Sequence, residues 1–115
     1  MKDFMMSEPY EDHRSGVKTS IHGIEATLGH SVLFAIGMTV YLTNQEMRAM
    51  RLLIINKTTG CTVDEIARVL GYEPSAKSRR VVQVHISNIR KKLISLTNSR
   101  DVVIFKSANK RYLLV

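Results

Sequence analysis

The chain has 115 residues, 44% of them hydrophobic and 23% charged, and its formal net charge is +7. This length suits one globular domain and is too short for two of ordinary size. The longest apolar run, near residues 32–42, is well below the ~20 residues of a transmembrane helix, and the single cysteine excludes an internal disulfide. We therefore expect a cytoplasmic protein that does not enter a membrane.

The positive charge is concentrated in the last third of the chain. Residues 77–115 contain ten Lys or Arg and one Asp, whereas residues 1–76 contain seven Lys or Arg and nine Asp or Glu. Such a concentration favours a polyanionic partner. Nucleic acid is the first candidate and an anionic membrane surface the second. The alternative is that no partner is involved, because a basic helix face is often only a solvated surface.

The N-terminal third predicts an extension followed by a small sheet. Residues 1–20 are polar and lack apolar periodicity, which predicts a flexible extension before a domain at residues 21–115. Beyond it, β-branched and apolar residues separated by glycines predict strands near Ile24–Leu28, Ser31–Ile36 and Met38–Tyr41. We expect these strands to pair as a small antiparallel sheet.

Capping boxes mark the starts of the first two helices. Thr43 with Glu46 predicts a helix to about Asn56, and because apolar residues cover most of its circumference, we expect it to lie centrally in the core. Thr62 with Glu65 predicts a second helix over about 63–70. Gly71 stands at the position of a C′ glycine, which ends that helix.

The third helix, predicted over about 78–96, has two contrasting faces. It follows Pro74, and Ser75 or Ser78 can cap it. Its apolar stripe recurs at spacings of four and three and consists of Val82, Ile86, Ile89, Leu93 and Leu96. The opposite face carries Arg80, Val84, Ser87, Asn88 and Lys91, with His85 and Arg90 beside it.

After the third helix, Val102–Phe105 and Tyr112–Val115 predict a hairpin with a basic tip. Strands, three helices and a closing hairpin describe an α+β winged helix-turn-helix: an N-terminal antiparallel sheet, a three-helix core and a β-hairpin wing.

At this point the sequence resembles the OmpR/PhoB-type winged-helix effector domain of bacterial response regulators. Residues 81–93 read VVQVHISNIRKKL, similar to the family's recognition-helix pattern of Val-x-Val-His-Ile followed by a basic stretch and Arg-Lys-x-Leu. Residues 40–54 read VYLTNQEMRAMRLLI, which resembles its strand, Leu-Thr cap and first helix. Gly71–Tyr72 matches the family's glycine-tyrosine pair after the second helix, and Tyr112 matches its tyrosine at the start of the last strand. The resemblance spans about residues 24–115 and implies a four-stranded N-terminal sheet.

The resemblance implies transcription regulation, with double-stranded DNA as the partner. The third helix would lie in the major groove and the wing, at about 105–112, in the minor groove. By position, the implied base contacts are Gln83, Val84, Ser87 and Asn88. The implied phosphate contacts are Arg79, Arg80, His85, Arg90 and Lys91. The wing residues are Lys106, Asn109, Lys110 and Arg111. The loop residues Tyr72, Glu73, Ser75 and Lys77 match a segment that meets RNA polymerase in activators of this type.

The side-chain chemistry of the predicted base contacts suits DNA. The amides of Asn88 and Gln83 pair a donor with an acceptor, as the N6/N7 edge of adenine requires. Val84 is apolar on a face that should be solvated, and a thymine methyl group would be its partner. An ordinary exposed valine is the alternative. His85 suits either a phosphate contact or helix packing.

The sequence departs from the family pattern in three places. It is too short to include a receiver domain, so we expect no control by aspartyl phosphorylation. Ser107 to Arg111 replace an arginine followed by a Gly-x-Gly turn. Here Asn109 tolerates left-handed geometry, and Lys110 or Arg111 can supply the groove cation. Ser87 and Asn88 stand where many members carry arginines, so we expect a different preferred DNA sequence, with adenine as the target of Asn88.

Chemistry of other kinds is poorly supported. The histidines have no ligand-like spacing, and no nucleophile, paired carboxylates or phosphate loop is apparent, so we expect no metal, no cofactor and no enzyme activity. Cys61 precedes a helix N-terminus, and this position can lower the pKa of a thiol. The alternative is that Cys61 is a small buried residue.

Three alternatives to a DNA-binding regulator remain open at this stage. One is a winged-helix module that binds a regulator or RNA polymerase instead of DNA. Another is a ligand-gated sensor that uses the N-terminal segment, and an RNA-binding protein is a lesser variant. The resemblance to the family also implies that the protein binds repeated DNA half-sites as a homodimer.

Overall fold

The fold is a four-stranded antiparallel sheet followed by three helices and a β-hairpin. The computed structural model describes residues 16–30, 32–35, 37–97 and 104–115, apart from the side chains of residues 96 and 97. The predicted winged helix-turn-helix, with its N-terminal sheet and C-terminal wing, is confirmed. No helix within these ranges is both long and apolar enough to cross a membrane.

The N-terminal sheet has the order β1-β2-β3-β4. Its strands are β1 (Val17–Ile21), β2 (Ile24–Leu28), β3 (Val32–Ala35) and β4 (Met38–Tyr41). All neighbours are antiparallel, and each strand turns apolar side chains toward the helices. The strand predicted over Ser31–Ile36 is described at Val32–Ala35, because its two end residues lie outside the described ranges.

Strand β1 begins within the predicted extension, so the predicted domain boundary at residue 21 is too late. The polar residues Lys18, Thr19 and Ser20 concealed the strand, because a half-exposed edge strand needs few apolar side chains. Its partner holds it in place: residues 17–21 pair along the full length of β2. The two-residue turn has positive φ at His22 (50°) and Gly23 (77°), as a tight hairpin requires. The rest of the predicted extension, residues 1–15, lies outside the described residues.

Helix α1 (Asn44–Ile55) begins at the predicted capping box, with Thr43 as N-cap. Thr43 Oγ1 accepts from Glu46 N–H at 3.1 Å, and Thr43 N–H donates to Glu46 Oε1 at 3.0 Å. The prediction that α1 is central holds for Met50 and Leu53, which are fully buried. It is wrong for Ile55, which is 62% exposed because, among the described residues, no element covers that side of the last turn.

Helix α2 (Val63–Val69) starts at the second predicted capping box and ends as predicted. Thr62 and Glu65 exchange bonds of 2.8 and 3.1 Å. At the other end, Gly71 has φ +92°, and Tyr72 N–H donates to Ala67 O at 2.9 Å. This is the Schellman arrangement that a C′ glycine permits.

Helix α3 (Ala76–Thr97) starts two residues before the predicted Ser78. Both serines take part in the cap: Ser75 Oγ accepts from Ser78 N–H at 3.1 Å, and Ser78 Oγ accepts from Ser75 N–H at 2.8 Å. The predicted apolar stripe is confirmed at Val82, Ile86, Ile89 and Leu93, which are at most 1% exposed. The side chain of Leu96 lies outside the described part of the chain.

The wing belongs to a second sheet with the order β5-β7-β6. Its strands are β5 (Cys61–Thr62), β6 (Ile104–Lys106) and β7 (Arg111–Leu114). The two-residue strand β5 was not predicted, because so short a segment has no periodicity of its own. The strands predicted over Val102–Phe105 and Tyr112–Val115 are described one or two residues away from those bounds, and residues 102 and 103 lie outside the described ranges.

A partly buried ion pair joins α3 to the start of α1. Lys92 Nζ lies 2.5 Å from Glu46 Oε1 and 3.0 Å from the carbonyl oxygen of Tyr41. The Glu46 residue is only 3% exposed. Burial alone would raise the pKa of this carboxyl, but the hydrogen bonds from Lys92 and Thr43 and the charges of Lys92 and His85 outweigh it, so its pKa lies below the ordinary value of a glutamate.

Gly60 allows the wing to approach the body. Its φ is +76°, and a Cβ there would lie 2.8 Å from Leu113 Cγ and from Tyr112 O. We expect Gly60→Ala to lower the free energy of unfolding by about 2–4 kcal/mol, measured by urea denaturation. Gly23→Ala is the matched control, since Gly23 has φ +77° with nothing within 4 Å, and should cost about 1 kcal/mol. Equal losses in the two variants would contradict the close-approach explanation.

The Glu46–Lys92 pair should make stability depend on pH. Because folding lowers the pKa of Glu46, its contribution is present above the unfolded value and is lost as pH falls through the folded value. We expect Glu46→Gln to lower the free energy of unfolding by about 1–3 kcal/mol at pH 7 and by less near pH 3. Thermal and urea unfolding across this range measure the difference, with the exposed Glu25→Gln as control. A loss of the same size at every pH would count against the ionic contribution.

Candidate nucleic-acid interface

One face of α3 is a solvent-facing stripe. Helical residues three and four apart lie above one another, so the side chains opposite the buried stripe form a continuous row. Its members are Arg80, Gln83, Val84, Ser87, Asn88 and Lys91, all exposed except the half-buried Asn88. Val84 is 58% exposed, so this apolar group is largely uncovered by the described part of the protein. The stripe therefore mixes amide, hydroxyl, apolar and basic groups on one rigid element.

Because α3 begins at Ala76, Lys77 also lies on this helix. It is exposed and stands one turn before Arg80, at the N-terminal end of the stripe. The sequence predicts Lys77 in the loop, because the predicted helix starts at Ser78. The reciprocal serine cap at Ser75 and Ser78 was the signal for the earlier start.

Several of the basic residues make internal contacts. Arg79 forms two hydrogen bonds to Asp64, of 3.0 and 3.2 Å, and this pairing lowers the pKa of Asp64. Lys92 is paired with Glu46. Arg111 donates to Gly60 O at 3.2 Å and lies 3.6 Å from Glu65. These cations hold elements of the protein together, and only part of the basic excess faces outward.

The outward cations lie along α3 and at the wing. Within the described part of the chain, five basic residues after residue 76 have neither a carboxylate nor a carbonyl partner: Lys77, Arg80, Lys91, Lys106 and Lys110. All five are exposed. Lys77, Arg80 and Lys91 lie at the two ends of the stripe of α3, and Lys106 and Lys110 lie on the wing, so both elements carry exposed positive charge that a polyanion would attract.

His85 and Arg90 flank the stripe and are half-buried. His85 Nδ1 is buried without a hydrogen-bond partner, and the residue lies close enough to Glu46 to affect the pKa of that carboxyl. Arg90 Nε donates to Ile104 O at 3.0 Å, and its guanidinium lies 5.8 Å from the centre of the Tyr112 ring. Both of these predicted phosphate contacts therefore have protein-packing surroundings.

The wing turn spans Ser107–Lys110. Lys110 N–H donates to Ser107 O at 2.9 Å, and Ser107 N–H donates to Arg111 O at 2.8 Å. The left-handed residue is Lys110, with φ +63°, and not Asn109 as expected. Asn109 instead accepts a hydrogen bond from the Ser107 hydroxyl. The turn presents Lys110 to solvent while Arg111 points back to the body.

The loop before α3 exposes part of the predicted polymerase-facing set. Tyr72 is 39% exposed, and Glu73 is also exposed. The hydroxyl of Ser75 accepts a hydrogen bond from Ser78 N–H and its carbonyl oxygen accepts one from Arg79 N–H, so this residue has a structural role as the cap of α3.

Cys61 lies at a cleft between α1, α2 and the wing. The residue is 1% exposed, and burial together with the nearby Glu65 raises the pKa of its thiol to about 11. A neutral buried thiol is a poor nucleophile. This agrees with the interpretation of Cys61 as a small buried residue and not with a lowered pKa.

Comparisons with known proteins agree with the architecture. The family model described as "Transcriptional regulatory protein, C terminal" matches residues 37–109. Among solved structures, the DNA-binding domain of the response regulator AdeR, determined in complex with an intercistronic region, superimposes with a TM-score of 0.60. It is 18% identical, and the match covers 73% of this chain and 84% of that one. This structural likeness concerns the fold. No match was found among curated protein sequences.

The family match covers well over half of the chain, including β4, all three helices and the first strand of the wing, β6. It therefore shows that the chain belongs to the OmpR/PhoB-type family of transcriptional regulatory proteins, which are DNA-binding regulators and not enzymes.

Proposed function

We propose that this protein regulates transcription by binding a specific duplex sequence, with α3 in the major groove and the wing at the minor groove. The observation that carries the proposal is the exposed stripe of α3, where amide, hydroxyl and apolar side chains lie between cations that have no carboxylate or carbonyl partner among the described residues. A major groove is wide enough to admit a helix, and such a stripe would face the base edges.

Base recognition is proposed for Gln83, Val84, Ser87 and Asn88. The amides of Gln83 and Asn88 suit adenine, Val84 suits a thymine methyl group, and the Ser87 hydroxyl can serve as donor or acceptor. Asn88 is half-buried, so its amide has fewer orientations to lose on binding than a fully exposed one. This supports its assignment as the main reader.

Phosphate binding is proposed for Arg80 and Lys91, with Lys77 at the start of the helix. His85 can offer its second ring nitrogen to a phosphate while its buried Nδ1 faces the protein. Arg79 would reach a phosphate only by leaving Asp64, so it should contribute less than Arg80. At the wing, Lys106 and Lys110 are the proposed groove cations, with Asn109 at the tip.

Two further partners are proposed. The exposed Tyr72 and Glu73 form a surface for RNA polymerase in the loop before α3. Two copies are proposed to occupy repeated half-sites, and the spacing of selected DNA sites would reveal them. Action on DNA places the proposed site of action in the bacterial cytoplasm.

Selection from a random duplex library, followed by fluorescence binding assays, tests the function. We expect enrichment of a short motif and an affinity that falls steeply between ~50 and ~200 mM salt, because phosphate contacts release counterions. Absence of binding at low salt, or affinity indifferent to salt, would overturn the proposal. Recovery of a protein that binds α3 in place of DNA would favour an interaction module.

Substitutions distinguish residues that read bases from residues that bind phosphates. Asn88→Ala should cost about 1–3 kcal/mol on the selected site and little on random DNA. Lys91→Ala should weaken both alike and reduce the salt slope by about one. Thermal unfolding of each variant controls for the fold. An Asn88→Ala variant that weakens both DNAs equally would refute base reading by that residue.

A further inference from the structure

Arg90 stands on the phosphate-binding margin of α3 but is engaged with the wing. Its Nε donates to the carbonyl oxygen of Ile104, the first residue of β6, at 3.0 Å. Its guanidinium lies 5.8 Å from the Tyr112 ring centre, and Lys106 Nζ lies 5.4 Å from the same ring. Tyr112 itself is buried, and its Cα pairs with that of Lys106 across the hairpin.

We infer that Arg90 is a positioning residue for DNA recognition, which fixes the wing relative to α3 and so couples minor-groove binding to base reading. The inference rests on the proposed function for its DNA part. It assigns Arg90 a role different from that of its neighbour Lys91, which is exposed and has no internal partner within the described residues.

The topology makes such a fastening necessary. Strand β6 has three residues and pairs with β7 on one side, and nothing pairs with its other edge in the described part of the chain. A short edge strand with one neighbour is held weakly by its backbone bonds alone. The Arg90 bond to Ile104 O comes from a rigid helix and therefore sets where the hairpin starts.

The chemistry of arginine suits this role better than that of lysine. A planar guanidinium can donate from Nε while its face or edge stays near an aromatic ring. A lysine at position 90 would keep the charge but lose this combined geometry. Arg90→Lys therefore distinguishes the effect of the guanidinium geometry on the wing from the effect of the positive charge.

A double-mutant cycle with the wing cation tests the inference. Affinity for the selected DNA site is measured for the wild type, Arg90→Lys, Lys110→Ala and the double variant. If Arg90 positions the wing, Lys110→Ala should weaken binding severalfold in the wild type and much less in Arg90→Lys. Lys91→Ala is the matched control, and its effect should multiply independently with that of Lys110→Ala.

Hydrogen exchange without DNA provides a readout independent of binding. Amides of residues 104–114 should exchange roughly tenfold faster in Arg90→Lys than in the wild type, since a charge-assisted hydrogen bond is lost, and should be unchanged in Lys91→Ala. Arg90→Met should behave in the same way, and its exchange in the sheet β1–β4 shows whether it remains folded.

The outcomes distinguish the possible failures. Independent effects of Arg90→Lys and Lys110→Ala, with unchanged exchange in the wing, would overturn the inference and leave Arg90 as a phosphate contact or a neutral position. Wild-type protein that binds no DNA would instead overturn the proposed function, while faster exchange in the wing would still support the fastening by Arg90.

Discussion

The carboxylate of Glu46 joins three parts of the structure in one buried place. It completes the N-cap of α1, it receives Lys92 from α3, and through Lys92 it is linked to the Tyr41 carbonyl at the end of β4. A buried charge is costly unless it is paired and hydrogen-bonded, so this contact tolerates few orientations of α3. The buried residues Val82, Ile86, Ile89 and Leu93 turn the row from Arg80 to Lys91 outward. Lys92 lies on the flank between these two faces, and its bond to Glu46 adds a polar contact that holds the helix in this orientation.

The described basic residues after residue 76 form two groups with different roles. One group connects α3 and the wing to other elements, and it consists of Arg79, Arg90, Lys92 and Arg111. The other group is exposed and available to a polyanion, and it consists of Lys77, Arg80, Lys91, Lys106 and Lys110. The internal group stabilises the geometry in which the outer group is presented. Electrostatic attraction to DNA and the internal fastening of the domain are thus carried by neighbouring positions along one helix.

The strands of the wing are short, and contacts from other elements of the domain hold the hairpin in place. Gly60 permits β7 to approach β5 closely, and Arg90 donates a hydrogen bond to the carbonyl oxygen of Ile104, the first residue of β6. In the turn, Lys110 adopts a left-handed conformation that favours glycine. The strained residue is also the exposed cation of the tip. Placing a lysine there keeps a positive charge at the point that would enter a minor groove, at some cost to the turn.

Local chemistry in the sequence determined the helices, because caps and apolar stripes involve residues three or four positions apart. Thr43 with Glu46, Thr62 with Glu65, and the stripe from Val82 to Leu93 were all readable in this way, as was the face of α3 that turns outward. Tertiary structure alone decided the strand β1, which is polar and stable only beside β2, and the partners of Arg79, Arg90 and Arg111. Those partners lie 14 to 51 positions away in the chain. A charged side chain in a sequence shows that it needs a counter-charge or water, and only the packing of distant elements determines which of these it meets.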